Sequence, residues 1–134
     1  FQLGNHLWTH AGVVQRWYDT YLRNQIIPSD INLAFTLNRL FRDYYLPLFH
    51  VALTRGGDEE DGGIFWADLQ ETLEDPLSGY HQIIGHTKVR SCGSFPFARI
   101  KETSVAYVDC LETKAEFYTL RLEPATGRSS VEGG

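Results

Sequence analysis

The sequence predicts an α/β domain, and three features support this. A short apolar, β-prone segment near the start of the chain ends at His10, two stretches with helical spacing of apolar residues follow it, and β-rich segments return from Tyr80 onwards. A chain of 134 residues that is 43% hydrophobic is long enough for one domain with its own core. We expect residues 1–124 to belong to that domain and the small, polar residues 125–134 to form a flexible tail.

The first part of the chain predicts one strand and two helices. Residues 7–10 are short, apolar and β-prone, as in a buried strand. Apolar residues three and four positions apart predict a helix over 13–23, and Pro28 prevents its continuation. A second helix is expected over 29–43, where Ser29 can accept hydrogen bonds from the amides of the first turn.

The rest of the chain predicts a loop, a short helix and three strands. Residues 54–63 contain four glycines and four acidic residues, which is typical of a flexible loop. Their carboxylates could bind calcium, but they lack the alternating ligand spacing of a calcium loop, so a solvated acidic turn is favoured. We expect a short helix around 67–73, a strand over 80–84, and strands over 104–110 and 116–122 that are neighbours in the sheet.

Charge and hydropathy exclude two classes of partner. The chain has 12 basic and 17 acidic residues, which disfavours nucleic-acid binding because phosphate neutralisation needs clustered Lys and Arg. No apolar run approaches the roughly 20 residues that a membrane span needs, and no secretory signal opens the chain. We therefore expect a cytoplasmic protein. The chain contains no methionine, so we also expect it to be a piece of a longer polypeptide or a trimmed form.

The two cysteines, Cys92 and Cys110, do not predict a zinc site from their spacing, because such sites need closely paired Cys or His donors. A single disulfide between them is one alternative. Small secreted domains usually contain many more cysteines, so a pair of reduced, buried thiols is favoured.

Two histidines are the strongest candidates for chemistry. His10 and His86 each follow an apolar, strand-like run and precede a small residue or a turn. Ligand sites of α/β sheets collect just beyond the carboxyl ends of strands. A histidine in that position can present one ring nitrogen to a metal while another group holds the second nitrogen. Either histidine alone would more often be structural, but the pair together favours a metal site.

Four segments resemble motifs of the calcineurin-like metallophosphoesterases, especially the bacterial relatives of the serine/threonine phosphatases. Residues 10–12 (His-Ala-Gly) resemble the THAG strand end of that family, and residues 85–87 (Gly-His-Thr) resemble its later GHTP motif. Residues 63–68 resemble the segment with Trp and Asp between these motifs, and residues 107–109 resemble the YID strand that follows. The order and approximate spacing of the four agree across residues 1–122.

The resemblance implies the C-terminal half of a four-layer α/β/β/α sandwich, with a mixed sheet that carries helices on one face. It also implies hydrolysis of phosphoesters, either protein phosphoserine and phosphothreonine or small phosphomonoesters. His10 and His86 would both bind one of two divalent ions, and imidazole with carboxylate donors suits Mn, Fe or Zn. The other ligands and the general-acid histidine belong to family motifs upstream of His10. The rest of the domain or a second chain is therefore expected to complete the site.

Two further interpretations accompany this hypothesis. Arg55, in the loop between the motif regions, is the candidate phosphate-binding residue, because a guanidinium can hold two phosphate oxygens. The competing interpretation of Arg55 is a surface arginine offset by the adjacent acids. For the whole chain, the alternative to catalysis is a non-catalytic binding or subunit-pairing module derived from a phosphatase half.

The remaining histidines are predicted to be structural. The sequence Gly-Asn-His at residues 4–6 spells the start of a GNHE motif, but it lies too close to His10 to take that role. His50 is expected to pack among apolar residues, and His81 is expected to be exposed.

Overall fold

A five-stranded mixed sheet organises the chain in the computed structural model, which describes residues 1–97, 100–116, 118–122 and 129–133. The strand order is β1-β2-β3-β5-β4. The central strands β2, β3 and β5 are parallel, while β1 and β4 are antiparallel to their neighbours at the two edges. The predicted α/β class and mixed sheet are thus confirmed. The strands are β1 (Gln2–Leu3), β2 (His6–Thr9), β3 (His81–Lys88), β4 (Gly93–Pro96) and β5 (Ser104–Asp109).

A second sheet contains two antiparallel strands, β6 (Tyr118–Leu122) and β7 (Ser129–Gly133). The prediction that the strands near 104–110 and 116–122 are neighbours was wrong, because β5 lies between β3 and β4. Alternation along a sequence identifies a strand but not its partner. Strand β7 falls within the expected tail over 125–134, whose residues 125–128 and 134 lie outside the described residues.

The helical segments are short. The predicted helix over 13–23 is present as α1 followed by a wider π-type turn and a 3-10 turn. The short helix expected near 67–73 is present as α3, which has a capping box formed by Asp68 and Glu71. No helix of the described residues is long and apolar enough to cross a bilayer. The helical segments are α1 (Gln15–Trp17), the π-type turn Tyr18–Leu22, α2 (Leu33–Arg42), α3 (Leu69–Glu74), and 3-10 turns at Arg23–Gln25, Leu46–Phe49 and Leu53–Arg55.

Helix α2 begins at Leu33, later than the predicted start at residue 29. Its cap is Asn32 rather than Ser29, and the Asn32 Oδ1 accepts a 2.8 Å hydrogen bond from a first-turn amide. Asp30, which the sequence placed in the first turn, pairs instead with Arg39 at 2.9 Å. Hydrogen bonds from the Arg39 guanidinium hold the pKa of Asp30 well below its usual range. Asn32 therefore takes the capping role expected of Ser29, and Asp30 is held by Arg39 ahead of the helix.

Helices cover one face of the main sheet. Leu7 of β2 belongs to the core that includes the buried side chains of α1 and α2, and Tyr107 of β5 donates a hydrogen bond to the Leu69 carbonyl of α3. The opposite face carries Ile83 and other strand residues that line pockets together with Tyr118 and Leu120 of β6. One face of the main sheet therefore packs against helices, and the other faces β6.

The acidic loop over 54–63 exposes Asp58 and Glu60 to solvent, as expected of a solvated turn, but it is anchored at its end. Asp61 is buried, and its two carboxylate oxygens accept hydrogen bonds of 2.9 and 2.7 Å from Arg16. The next residue, Gly62, has to be a glycine because its backbone packs against that of Trp66. A Cβ at this position would lie only 2.3 Å from the Trp66 carbonyl oxygen. The loop therefore has a fixed path into the segment that precedes α3.

His6 is expected to make the fold less stable as the pH falls. Its side chain is buried on β2 and its ring stacks on His81 with centroids 4.7 Å apart. Burial, with a smaller contribution from the charge of His81, lowers the pKa of His6. Because the unfolded chain takes up this proton near pH 6.5 while the folded chain resists it, the free energy of unfolding should decrease below about pH 6.5.

The measurement is urea unfolding at about pH 7.5 and about pH 5.5. The decrease should be smaller in His6→Gln than in the parent chain. An unchanged pH dependence in His6→Gln would show that the proton uptake occurs elsewhere.

Candidate metal centre

His10 and His86 lie together at one edge of the main sheet. The Nε2 atom of His10 is 2.8 Å from the Nδ1 atom of His86, and the ring centroids are 4.6 Å apart. The sheet explains this proximity, because β2 and β3 are adjacent and parallel and both histidines come at or near the carboxyl ends of these strands. The structure therefore brings together the two residues that were predicted from the sequence to be metal ligands.

The turn after His10 depends on Gly12. This residue has φ +110°, and an added Cβ would lie 2.8 Å from the Ile84 side chain of β3. The preceding amide, of Ala11, donates a 2.9 Å hydrogen bond to the carbonyl of Ile64. The Ala-Gly pair after His10 thus allows the chain to turn tightly against β3, which fixes where the His10 ring leaves the sheet.

His86 interrupts the regular geometry of β3. Its φ is +48°, a left-handed value that is costly for a residue with a Cβ, and the pairing register with β5 shifts between Ile84 and Lys88. The irregularity takes the ring out of the usual alternation of side chains along a strand. Backbone strain of this kind concentrates at functional sites, where surrounding contacts maintain it.

One ring nitrogen of His86 has no hydrogen-bond partner among the described residues. Its Nε2 atom is buried and unpaired, and the Trp66 ring lies edge-on to the imidazole with centroids 5.7 Å apart. A buried polar atom without a partner costs about 1–3 kcal/mol. The His86 ring is therefore not fully satisfied by the residues around it.

The spacing of the two donor atoms fits a shared ion. Two imidazole nitrogens that are each about 2.1 Å from one ion, at angles between 90° and tetrahedral, lie about 3.0–3.4 Å apart. The observed separation of 2.8 Å is shorter than this range, so the rings would need to move apart by about 0.2–0.6 Å. In the absence of an ion, a proton between the same two nitrogens would form a hydrogen bond at this distance. The rings can thus receive a cation with little movement.

The electrostatic surroundings keep His86 in the form that a metal requires. Burial is the main cause that lowers the pKa of His86, and the positive charges of Arg55 and His10 add to it. The ring is therefore neutral at neutral pH. Since only the neutral imidazole has a free lone pair for a metal, this shift favours binding at neutral pH.

Arg55 is connected to the histidine pair by polar contacts with Thr87 and Asp68. Its Nη2 donates a 2.7 Å hydrogen bond to the Thr87 hydroxyl, and its Nε lies 2.9 Å from a carboxylate oxygen of Asp68. The guanidinium side chain is 26% exposed. Thr87 is the neighbour of His86 in the chain, so the network joins the loop that carries Arg55 to β3. Arg55 is thus partly buried, and the acid that offsets its charge is Asp68 rather than one next to it in the chain.

Asp68 and Thr87 are site residues whose roles were not predicted from the sequence. The Asp68 carboxylate caps α3 by accepting a hydrogen bond from the Gln70 amide, and it also faces Arg55. The signal for its capping role is the Asp-Leu-Gln-Glu capping box at residues 68–71. The pairing of Asp68 with Arg55 has no sequence signal, because it depends on how the acidic loop folds back.

The histidine pair has only two protein donors within the described part of the chain. The one group of three His, Cys, Asp or Glu donors found among those residues is elsewhere, at Cys92, Cys110 and Glu116. Two nitrogens do not complete the coordination of a divalent ion. A complete centre at His10 and His86 would thus need additional ligands.

The other three histidines do not join this pair. His50 packs edge-on against Tyr21 with ring centroids 4.8 Å apart, as expected for a packed side chain. His81 is not exposed as predicted, because its Nδ1 lies 2.6 Å from the Ser104 hydroxyl and its side chain is only 19% exposed. His6 stacks on His81 at the amino-terminal ends of β2 and β3, the opposite ends from the site.

Comparison of the chain with models of protein families, with curated proteins and with solved structures gives no match. The function of the chain is therefore inferred from its residues and from the geometry of the site.

Proposed function

We propose that this chain supplies two histidine ligands to a dinuclear metal centre that hydrolyses phosphoesters. The observation that carries the proposal is the 2.8 Å separation between His10 Nε2 and His86 Nδ1 at the carboxyl edge of two parallel strands. The resemblance of residues 10–12 and 85–87 to the metallophosphoesterase motifs supports the same role. The substrates would be protein phosphoserine and phosphothreonine or small phosphomonoesters.

The side chains around the pair have distinct tasks in this proposal. His10 and His86 would hold one ion and remain neutral to do so. Arg55 would hold phosphate oxygens, while Asp68 and Thr87 orient its guanidinium. When bound, two divalent ions (Mn, Fe or Zn) polarise phosphoryl oxygens and make water nucleophilic near neutral pH.

In the proposed whole enzyme, the main sheet of this chain is one of the two sheets of a four-layer α/β/β/α sandwich. Residues upstream of His10 or a second chain would provide the remaining ligands and the general-acid histidine. The second sheet would lie on the side of the main sheet that carries Ile83, which the helices do not cover and part of which already faces β6. We place this enzyme in the cytoplasm.

The test is hydrolysis of p-nitrophenyl phosphate by the full polypeptide that contains this chain. We expect hydrolysis with Mn²⁺, its loss after chelation and its return when Mn²⁺ is added back. A polypeptide that neither binds Mn²⁺ nor releases p-nitrophenol under these conditions would contradict the proposal.

The donor count favours a second candidate, a pairing module without activity of its own. Because only two donors meet at the histidine pair in the described residues, another chain could complete the centre. Light scattering combined with metal analysis distinguishes the two candidates. A complex that contains a second protein and two metal ions would favour the pairing module, whereas a monomer with two ions would favour a self-contained enzyme.

Replacing Arg55 is expected to weaken phosphate binding. Arg55→Ala should lower kcat/KM for the phosphomonoester by about 10- to 100-fold, since a hydrogen bond to a charged group contributes about 1.5–3 kcal/mol. Arg55→Lys should recover part of the loss, because it keeps the charge without the planar pair of donors. The assay also measures Mn²⁺ affinity, which should stay within a few-fold of the parent. An unchanged kcat/KM in Arg55→Ala would exclude contact with the phosphate.

A further inference from the structure

A second group of metal-ligand side chains lies at the junction of three segments. The Sγ atoms of Cys92 and Cys110 are 3.0 Å apart, and these sulfurs and a carboxylate oxygen of Glu116 all lie within 4.8 Å of one another. Cys92 lies between β3 and β4, Cys110 directly follows β5, and Glu116 precedes β6. Both cysteines are free thiols. The spacing of the two cysteines along the chain does not predict this cluster.

We propose that Cys92, Cys110 and Glu116 bind one thiolate-preferring divalent ion of the zinc class. Zinc takes Cys sulfurs at about 2.3 Å and carboxylate oxygens at about 2.0–2.2 Å. Two sulfurs on one tetrahedral zinc are then about 3.8 Å apart, so the two thiols need to separate by less than about 1 Å. Soft sulfur donors distinguish this site from the imidazole pair, because they select zinc-like ions over manganese or magnesium.

The backbone around the cluster holds the donors in place. The Cys92 amide donates a 3.0 Å hydrogen bond to Glu116 Oε2, which orients the carboxylate toward the cysteines. The amides of Thr113 and Lys114 both donate to the Cys110 carbonyl, at 3.0 and 2.9 Å, which closes the turn between the second and third ligands. Cys110 is 1% exposed, so little water competes for its sulfur. A solvent molecule would take the fourth position of the ion.

One charge opposes the ion. The Lys114 ammonium forms an ion pair with the Glu116 Oε1 atom, and the lysine side chain is 61% exposed. Binding of a cation would make this lysine turn to solvent, where its charge is hydrated. Replacement of Lys114 should therefore increase the metal affinity, whereas replacement of a ligand should decrease it.

The site would tie the loop that follows His86 to the end of β5 and to the start of β6. It does not depend on the proposed phosphoesterase activity, since no residue is shared with the histidine pair. Its expected consequence is structural, because β6 belongs to the second sheet and the ion would link its start to the end of β5 in the main sheet.

The test is Co²⁺ and Zn²⁺ binding to the chain with His10→Ala and His86→Ala, kept reduced with a phosphine and free of oxygen. We expect one equivalent of Co²⁺ to produce a sulfur-to-cobalt charge-transfer band in the near ultraviolet, which Zn²⁺ then removes. Zn²⁺ should also raise the Tm of this variant. Cys92→Ser with Cys110→Ser should abolish the band, and Lys114→Ala should tighten Co²⁺ binding about two- to fivefold.

Two results would overturn the proposal. One is the absence of the band in the reduced chain whose circular dichroism matches that of the parent. The other is a count of no free thiols in the purified, unreduced protein, which would show that the two cysteines form a disulfide instead. The double serine variant could fail to fold, so Glu116→Gln is measured as well. This variant keeps both sulfurs, so the charge-transfer band should still form, but at a higher Co²⁺ concentration than in the parent.

Discussion

Replacing His86 with asparagine is expected to remove phosphoester hydrolysis and to lower Mn²⁺ affinity at least about 100-fold. Loss of a group that only supports a metal ligand costs about 10- to 100-fold, and His86 would itself be the ligand. Asparagine is chosen because it tolerates the left-handed φ of +48° better than alanine does. The measurements are Mn²⁺ binding by calorimetry and the rate of p-nitrophenyl phosphate hydrolysis.

The matched control is His81→Gln, at the other end of the same strand. His81 bonds to Ser104 and stacks on His6, and neither partner belongs to the histidine pair of the site. This variant should retain Mn²⁺ affinity within a few-fold. Equal losses in His86→Asn and His81→Gln would indicate general damage to β3 rather than loss of a ligand.

The largest effect on stability is expected from Trp17→Ala, which should lower the free energy of unfolding by about 3–5 kcal/mol. Trp17 is 1% exposed in the core between the helices and the sheet. Its indole nitrogen donates a 3.1 Å hydrogen bond to the Pro47 carbonyl, which alanine would leave without its donor. Because small domains have only about 5–15 kcal/mol in total, the variant should be close to unfolding at room temperature.

Two variants calibrate this result in urea unfolding followed by circular dichroism. Trp17→Phe keeps most of the buried ring but loses the hydrogen bond, and should cost about 1–2 kcal/mol. Leu46→Ala removes a side chain that is 75% exposed and should change stability by less than about 0.5 kcal/mol. A similar cost for Trp17→Ala and Leu46→Ala would mean that Trp17 does not occupy the core.

Local pattern predicted the elements that carry the site. The strand that ends near His10, the strand before His86 and the helical run after His10 all follow from apolar spacing and turn residues, which depend on neighbouring residues alone. Asp30 shows where such reasoning fails, since its pairing with Arg39 draws it away from the helix start. The predicted partner of β5 is wrong for a similar reason. Strand β5 pairs with β4 rather than with β6, and strand pairing depends on residues distant in the chain.

The candidate site was predictable only in part. The two histidines are visible in the sequence because each comes after an apolar, strand-like run, although His86 lies within β3 rather than after it. Their closeness depends on parallel pairing of β2 with β3, which no local pattern specifies. The contacts of Arg55 with Asp68 and Thr87 likewise arise from the path of the acidic loop. Cys92 directly precedes β4 and Cys110 directly follows β5, so the antiparallel pairing of these two strands brings the cysteines together.

The most direct test of the histidine pair is nitrogen-15 NMR of the imidazole rings during titration with Zn²⁺, in the chain with Cys92→Ser and Cys110→Ser. If His10 and His86 bind the same ion, His10 Nε2 and His86 Nδ1 should shift together and with the same apparent affinity, while the rings of His6, His50 and His81 stay unchanged. A shift at only one of the two nitrogens, or at neither, would contradict a shared ion.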